Sequence, residues 1–367
     1  MRDTAVGGLA TLLSWPSWRD SDAGPSIASQ VSAAAHDENP VVRMRAAEAA
    51  WAMYAGLSAV NRVAAIGELL LAEVSTAVRT MLVHQLARDV AEAPESVDTI
   101  LRHLIDLDNG CIDAGSDDSR RVIFCLLTYL ALIPKAPFAS QTIERWCQNA
   151  PAHSADVETF AQCARDYLAP SGSNGQQRAY QLLSVAAASS AVRWARDPQE
   201  HLGGAPLSKE QIAERQGAVK VTYGIAQQIY FASGAFDEEQ GHFPDKPKDL
   251  GTFANFAFPL LQTCAGLGVA QCVHEAVQTM IFLAPLNEAR ALQAIAKAVP
   301  TDGLYAADSL AGSDVIPYLV RLLAEQRPLI LFDEDGVTAF RHLLAAFAAA
   351  GNQDALEMAY TFADVFR

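Results

Sequence analysis

The 367-residue sequence predicts an all-α chain in which short antiparallel helix pairs stack as an α-solenoid. Three observations lead there. Apolar residues recur at spacings of three and four almost everywhere, so that each segment carries one apolar face. No segment sustains the alternation and β-branched enrichment of a strand; RPLILF at 327–332 is the single short candidate. Proline, glycine and asparagine separate the periodic segments by short turns, which makes consecutive helices antiparallel neighbours.

Taken in order, a helix is expected near 25–35. A second follows over 40–54, where Val42, Ala46, Ala49, Ala50 and Met53 share a face and Asn39-Pro40 supplies the start. Others follow at 59–72, at 76–90 (Val78, Met81, Leu82, Leu86 and Val90 on one face), and at 95–106, 119–133, 139–149 and 155–168. The polar patch PSGSNGQQ at 170–177 divides a repeat region, 1–170, from a C-terminal helical region, 171–367, continuous with the first. Beyond it come helices at about 176–196 and 209–232, the latter opened by a capping box of Ser208 and Gln211. GAFDEEQGHFPDKPKDLG, 234–251, reads as a surface loop without a packing face. Helices at 252–267, 270–284, 286–299, 312–326, 336–350 and 352–366 complete the chain.

Two stretches carry an internal repeat. Asp37-Glu38-Asn39-Pro40-Val41-Val42-Arg43, followed by Ala46, Ala47 and Ala49, returns 36 residues later as Glu73-Val74-Ser75-Thr76-Ala77-Val78-Arg79. Val78-Arg79 aligns with Val42-Arg43, Glu73 with Asp37, and Thr76 with Pro40. This pattern resembles that of the HEAT-repeat family over roughly residues 25–133. A third copy around Ser119-Arg120-Arg121-Val122 is degraded. The resemblance implies stacked two-helix units in which small residues let the inner helices approach. It also implies a structural ladder across adjacent turns, with Asp37, Arg43 and Arg79 as its members. The ending, FRHLLAAFAAAGNQDALEMAYTFADVFR, loosely resembles helical C-terminal parts of large bacterial multidomain proteins, nucleotide-hydrolysing defence proteins among them.

Charge narrows the function classes. The net charge is −15, with 13 basic and 21 acidic residues in 1–170 and 14 and 21 in 171–367, so the acidity is even. Phosphate neutralisation needs a basic stripe, and the densest basic spots, Arg43 with Arg45 and Arg120 with Arg121, are flanked by acids; nucleic-acid binding and an anionic membrane surface are both disfavoured. Six scattered cysteines inside apolar patterns such as VIFCLLTYL read as small hydrophobes in a reducing compartment. Without a signal-like N-terminal core or an apolar run of about 20 residues, the expected location is the cytoplasm.

Chemical motifs fail on spacing. His274-Glu275-Ala276-Val277-Gln278 places an amide where a zinc helix needs its second histidine, and reads as an ordinary polar helix face. Cys147 with His153 and Cys163, and Cys264 with Cys272 and His274, lack the paired spacing of a structural zinc site. Asp106-Leu107-Asp108-Asn109-Gly110 has its glycine one residue early for a calcium loop, so a solvated turn is expected. Asp333-Glu334-Asp335-Gly336 reads as acids at a helix start. Gly266-Leu267-Gly268 has no third glycine and no Gly-Lys-Ser/Thr exists, so nucleotide hydrolysis is not expected.

The expectation is therefore a non-catalytic scaffold or adaptor with no cofactor and no metal, acting on protein partners whose identity the residues do not name. Its candidate contacts are Trp15 and Trp18, which are hard to bury as a unit, and Arg45, Glu48, His84 and Arg88 on the inner helices. Trp51, within an apolar pattern, is expected in the core. Two rivals stand beside this reading: a sensor or assembly component of a bacterial antiviral defence system, and a metal-dependent helical enzyme with its site in 171–367.

Overall fold

The computed structural model describes residues 2–106, 111–112, 117–169, 174–195, 207–241, 250–300, 305–326, 329 and 332–362. Among the described residues the regular structure is helical, apart from one antiparallel pair of two-residue strands, β1 (Ile105–Asp106) and β2 (Cys111–Ile112). Asp106, expected in a solvated turn, thus lies in β1; residues 107–110 lie outside the described residues. Of the strand candidate 327–332, only Leu329 and Phe332 are described, and both are helical.

Packing divides the chain into two units, Met1–Ile143 and Glu144–Arg367. The junction expected at 170 falls inside the second unit. There α11 (Ser154–Leu168) packs along α13 (Lys209–Ser233), joining helices from both sides of the polar patch.

The first unit begins with α1 (Arg2–Ser14), a helix the periodicity did not predict because two glycines interrupt its apolar stripe. Burial of Ala10 and Leu13 holds it in place. After α2 (Pro16–Arg19) and α3 (Gly24–Ala34), the single helix expected over 40–54 appears as two, α4 (Pro40–Glu48) and α5 (Ala50–Met53). Ala49, at φ −103° and ψ 5°, breaks the ladder. The Glu48 carbonyl beside this break accepts from Gln85 Nε2 at 3.3 Å, so a side chain of the next pair takes up a backbone acceptor at the break. Next come α6 (Ala59–Ala72), α7 (Thr76–Leu86), a 3₁₀ turn at Ala87–Asp89, α8 (Pro94–Leu104), α9 (Asp117–Leu132) and α10 (Pro137–Gln148). Helix α4 packs against both α1 and α7, and α7 against α9, while α6 packs against α7 and α8. Alanine is dense in α4 and α5 because neighbours stand on several sides: Ala46, Ala47, Ala50 and Ala52 are all buried.

The second unit is built round α13. This 25-residue helix starts at the expected capping box, with Gln211 N donating to Ser208 Oγ and Ser208 N to Gln211 Oε1, and ends at Gly234 in the left-handed region. It packs against α11, α12 (Gln176–Trp194), α15 (Leu250–Ala265) and α16 (Ala270–Leu283). So many neighbours require small residues: a Cβ on Gly217 would lie 2.2 Å from the Pro151 carbonyl oxygen. The stretch expected as a loop from 234 opens instead with α14 (Ala235–Glu239), which does have a packing face. Ala235 is buried, and Phe236 meets the rings of Tyr230 and Phe231 edge-on. Helices α17 (Glu288–Ala298), α18 (Ser309–Glu325), α19 (Glu334–Ala349) and α20 (Gln353–Phe362) follow.

Candidate functional site

The repeat residues of the first unit build a clamp between successive turns. Asp37 Oδ1 accepts from Asn39 N at 2.9 Å, and Asn39 Oδ1 accepts from Val41 N at 2.9 Å, which fixes the start of α4 with Pro40 at its first position. One turn on, Arg43 donates from Nη1 to the carbonyls of Asp37 and Glu38 at 2.9 and 3.0 Å. Its Nε and Nη2 reach the next pair and donate to Glu73 Oε2 and Oε1, both at 2.8 Å. Glu73 Oε1 also accepts from the Val74 and Ser75 amides.

Arg43 therefore ties the turn before α4 to the turn before α7, a bidentate pair of the stronger kind. The Arg43 hydrogen bonds, aided by the Ser75 and Val74 amides and opposed by burial, hold the Glu73 carboxyl below its ordinary range; the same pair raises Arg43. Asp37 plays a different part from the one the resemblance implies. It is the Asp37 backbone that meets Arg43, while its carboxylate holds the Asn39 amide and, on the surface, Arg2 Nη1 at 3.3 Å. Arg79 is engaged as well.

A second clamp escaped the sequence reading. Arg62 on α6 donates from Nε and Nη2 to Asp89 Oδ2 and Oδ1, both at 2.6 Å, and both side chains are buried. A signal existed: Arg62 stands in register with Ile66 and Leu70, so a charge sits in an apolar stripe. Asp98, in register with Leu101, is also buried and accepts from Phe138 N and Ala139 N at 3.0 and 2.8 Å, closing the start of α10 from a distance. Its partners lie 40 residues away in the sequence, and only the fold brings them together.

The expected contact residues lie on the surface of this unit in varied states. Trp15 and Trp18 are 53% and 43% exposed, held by backbone bonds from Trp18 N and Arg19 N to the Trp15 carbonyl. Arg45 pairs with Glu48 one turn along α4 at 2.8 Å, and His84 Nε2 lies 3.0 Å from Asp118 Oδ2. Arg88 lies over the Trp51 ring at 5.5 Å, as does Arg62 at 4.9 Å. Trp51 is thus half-buried between helix core and surface, where periodicity alone placed it in the core.

In the second unit, tertiary packing turns His274-Glu275-Ala276-Val277-Gln278 into more than a polar helix face. His274 and Glu275 line a cavity of about 180 Å³ with Tyr223, Gln271, Tyr305 and Asp308. Gln278 lines a neighbouring one of about 530 Å³ with Tyr230, Glu239, Asp314 and Arg321. Burial raises the Glu275 carboxyl, with the Glu239 charge adding to it, and burial likewise raises Asp314. Among the described residues no three His, Cys, Asp or Glu side chains stand where they could hold one metal ion.

Buried Cys264 and Cys272 are shifted up by desolvation, and Cys147 is pushed up to about 12, which leaves their thiols protonated and inert. Cys125 departs from the apolar-core reading and is exposed. No single described helix is long and apolar enough to cross a membrane. Compared with family models, curated proteins and solved structures, the chain finds no match.

Proposed function

We propose that the protein is a non-catalytic interaction scaffold of HEAT-like character, whose clamped helix pairs present a rigid surface to a protein partner. The observation that carries this reading is the Trp15 and Trp18 pair: two large aromatic side chains about half exposed on a short helix fixed at both ends by backbone bonds. Aromatic side chains supply much contact area for little rotamer entropy, and they dominate binding hot spots. The exposed charges of α4 and α7 already have partners, Arg45 with Glu48 and His84 with Asp118 of α9, which suits polar surface more than a binding centre.

The Arg43 clamp supports the same reading, because a surface held at both ends of each turn loses little freedom on binding. The test is an affinity capture from the native host with the wild-type chain and with a Trp15→Ala, Trp18→Ala double variant. A specific partner should be retained by the first and lost by the second, with an unchanged melting temperature. Equal retention by both chains would overturn the assignment.

A further inference from the structure

We infer that the 180 Å³ cavity of the second unit is a binding site for a small organic cation bearing a primary ammonium group. Two buried polar atoms from residues lining it, Glu275 Oε2 and Tyr305 Oη, have no hydrogen-bond partner among the described residues. Such atoms are rarely left empty, since an orphaned buried acceptor costs about 1–3 kcal/mol. Tyr305 is the sharpest case: it is 1% exposed, yet its hydroxyl has no hydrogen-bond partner among the described residues.

The two atoms share one capacity. A carboxylate oxygen accepts, and a phenol oxygen accepts through its lone pairs. An ammonium group offers three donors, enough for both. The setting is also electrostatically matched. Glu275 and Asp308 line the cavity, Asp314 Oδ2 stands 3.4 Å behind His274 Nδ1 without an aligned hydrogen bond, and Glu239 adds charge from α14. Arg321, the cation lining the larger cavity nearby, is held by Glu288 at 2.8 Å. Tyr223 and Tyr305 supply aromatic walls, which favour a desolvated cation further. Burial that raises the Glu275 carboxyl is the penalty an incoming cation would relieve.

The size sets the ligand class. Water occupies about 30 Å³ per molecule in the liquid, so the space holds a few heavy atoms and suits an alkylammonium head better than a nucleotide or a peptide.

The test uses the full-length chain after exhaustive dialysis, titrated calorimetrically with n-butylammonium and followed in parallel by native mass spectrometry. One-to-one saturable binding with Kd below about 1 mM is expected. Tetramethylammonium, which has no N–H, and n-butanol, which has no charge, should bind at least about tenfold more weakly, since a tenfold loss corresponds to one good polar interaction. Glu275→Gln should weaken n-butylammonium about tenfold or more. Tyr305→Phe should weaken it several-fold while leaving the melting temperature unchanged or higher, because it removes an orphaned hydroxyl. Absence of saturation, a cavity filled by water only, equal affinity for tetramethylammonium, or indifference to both substitutions would overturn the inference.

Discussion

The two units hold their helices together by different means. In Met1–Ile143, successive turns are joined by arginine–carboxylate forks, Arg43 with Glu73 and Arg62 with Asp89, and a remote carboxylate, Asp98, closes the start of α10. In Glu144–Arg367, the inter-helix ion pairs are more exposed, Lys220 with Glu158 at 3.0 Å and Arg321 with Glu288 at 2.8 Å, α13 admits a close neighbour at Gly217, and Glu275 and Asp314 line cavities with no lysine or arginine pair among the described residues. The contrast shows where charge is spent on structure and where it is left available. Clamped carboxylates are satisfied, while Glu275 Oε2 and Asp314 Oδ2 of the second unit keep unused hydrogen-bonding capacity among the described residues.

The comparison can be broken most forcefully at Asp89. Asp89→Ala leaves Arg62 buried without its fork, which costs about 3–5 kcal/mol and should lower the melting temperature by roughly 10 °C. Hydrogen exchange should show the loss confined to peptides of the first unit. A change below about 2 °C would mean the buried fork does not hold the helix pairs.

Gly217→Ala is the counterpart in the second unit. The added Cβ meets the backbone carbonyl of Pro151, which cannot swing away like a side chain, so a cost of about 1–3 kcal/mol is expected with no effect on first-unit exchange. A neutral result in thermal melts would show that the Pro151 turn and α13 are less tightly seated than the contrast requires.

Acid titration supplies the finest distinction, because the carboxylates of the two units shift in opposite directions. Glu73 is lowered in the fold, so its contribution is present above the ordinary carboxylate range and lost as pH falls through its folded value. Glu275 is raised, so its ionisation weakens the fold as pH rises from the ordinary range through its folded value. Melting curves between pH 3 and 8 should therefore show that Glu73→Gln flattens the acid-side loss. Glu275→Gln should raise the neutral-pH melting temperature and change little at acid pH. Parallel shifts in the two variants would remove the distinction.

Much of this was legible in the residues. Helical period, the Asn39-Pro40 start and the Ser208 capping box fix local structure through interactions within a few positions of one another. The 36-residue recurrence singles out Arg43 and aligns Glu73 with Asp37, but it does not pair Glu73 with Arg43. What the sequence determined by itself is therefore the all-α class, the placement of most helices, and a chain rich enough in alanine for helices to press close.

Tertiary structure alone decided the partners of Arg62 and Asp98, the break at Ala49, the packing of α14 and the convergence of His274, Glu275 and Tyr305. Each joins residues distant along the chain, or depends on which neighbour fills a given face, and side-chain spacing within one helix carries no record of either. Periodicity reports which face of a helix leaves water; it does not report what waits there.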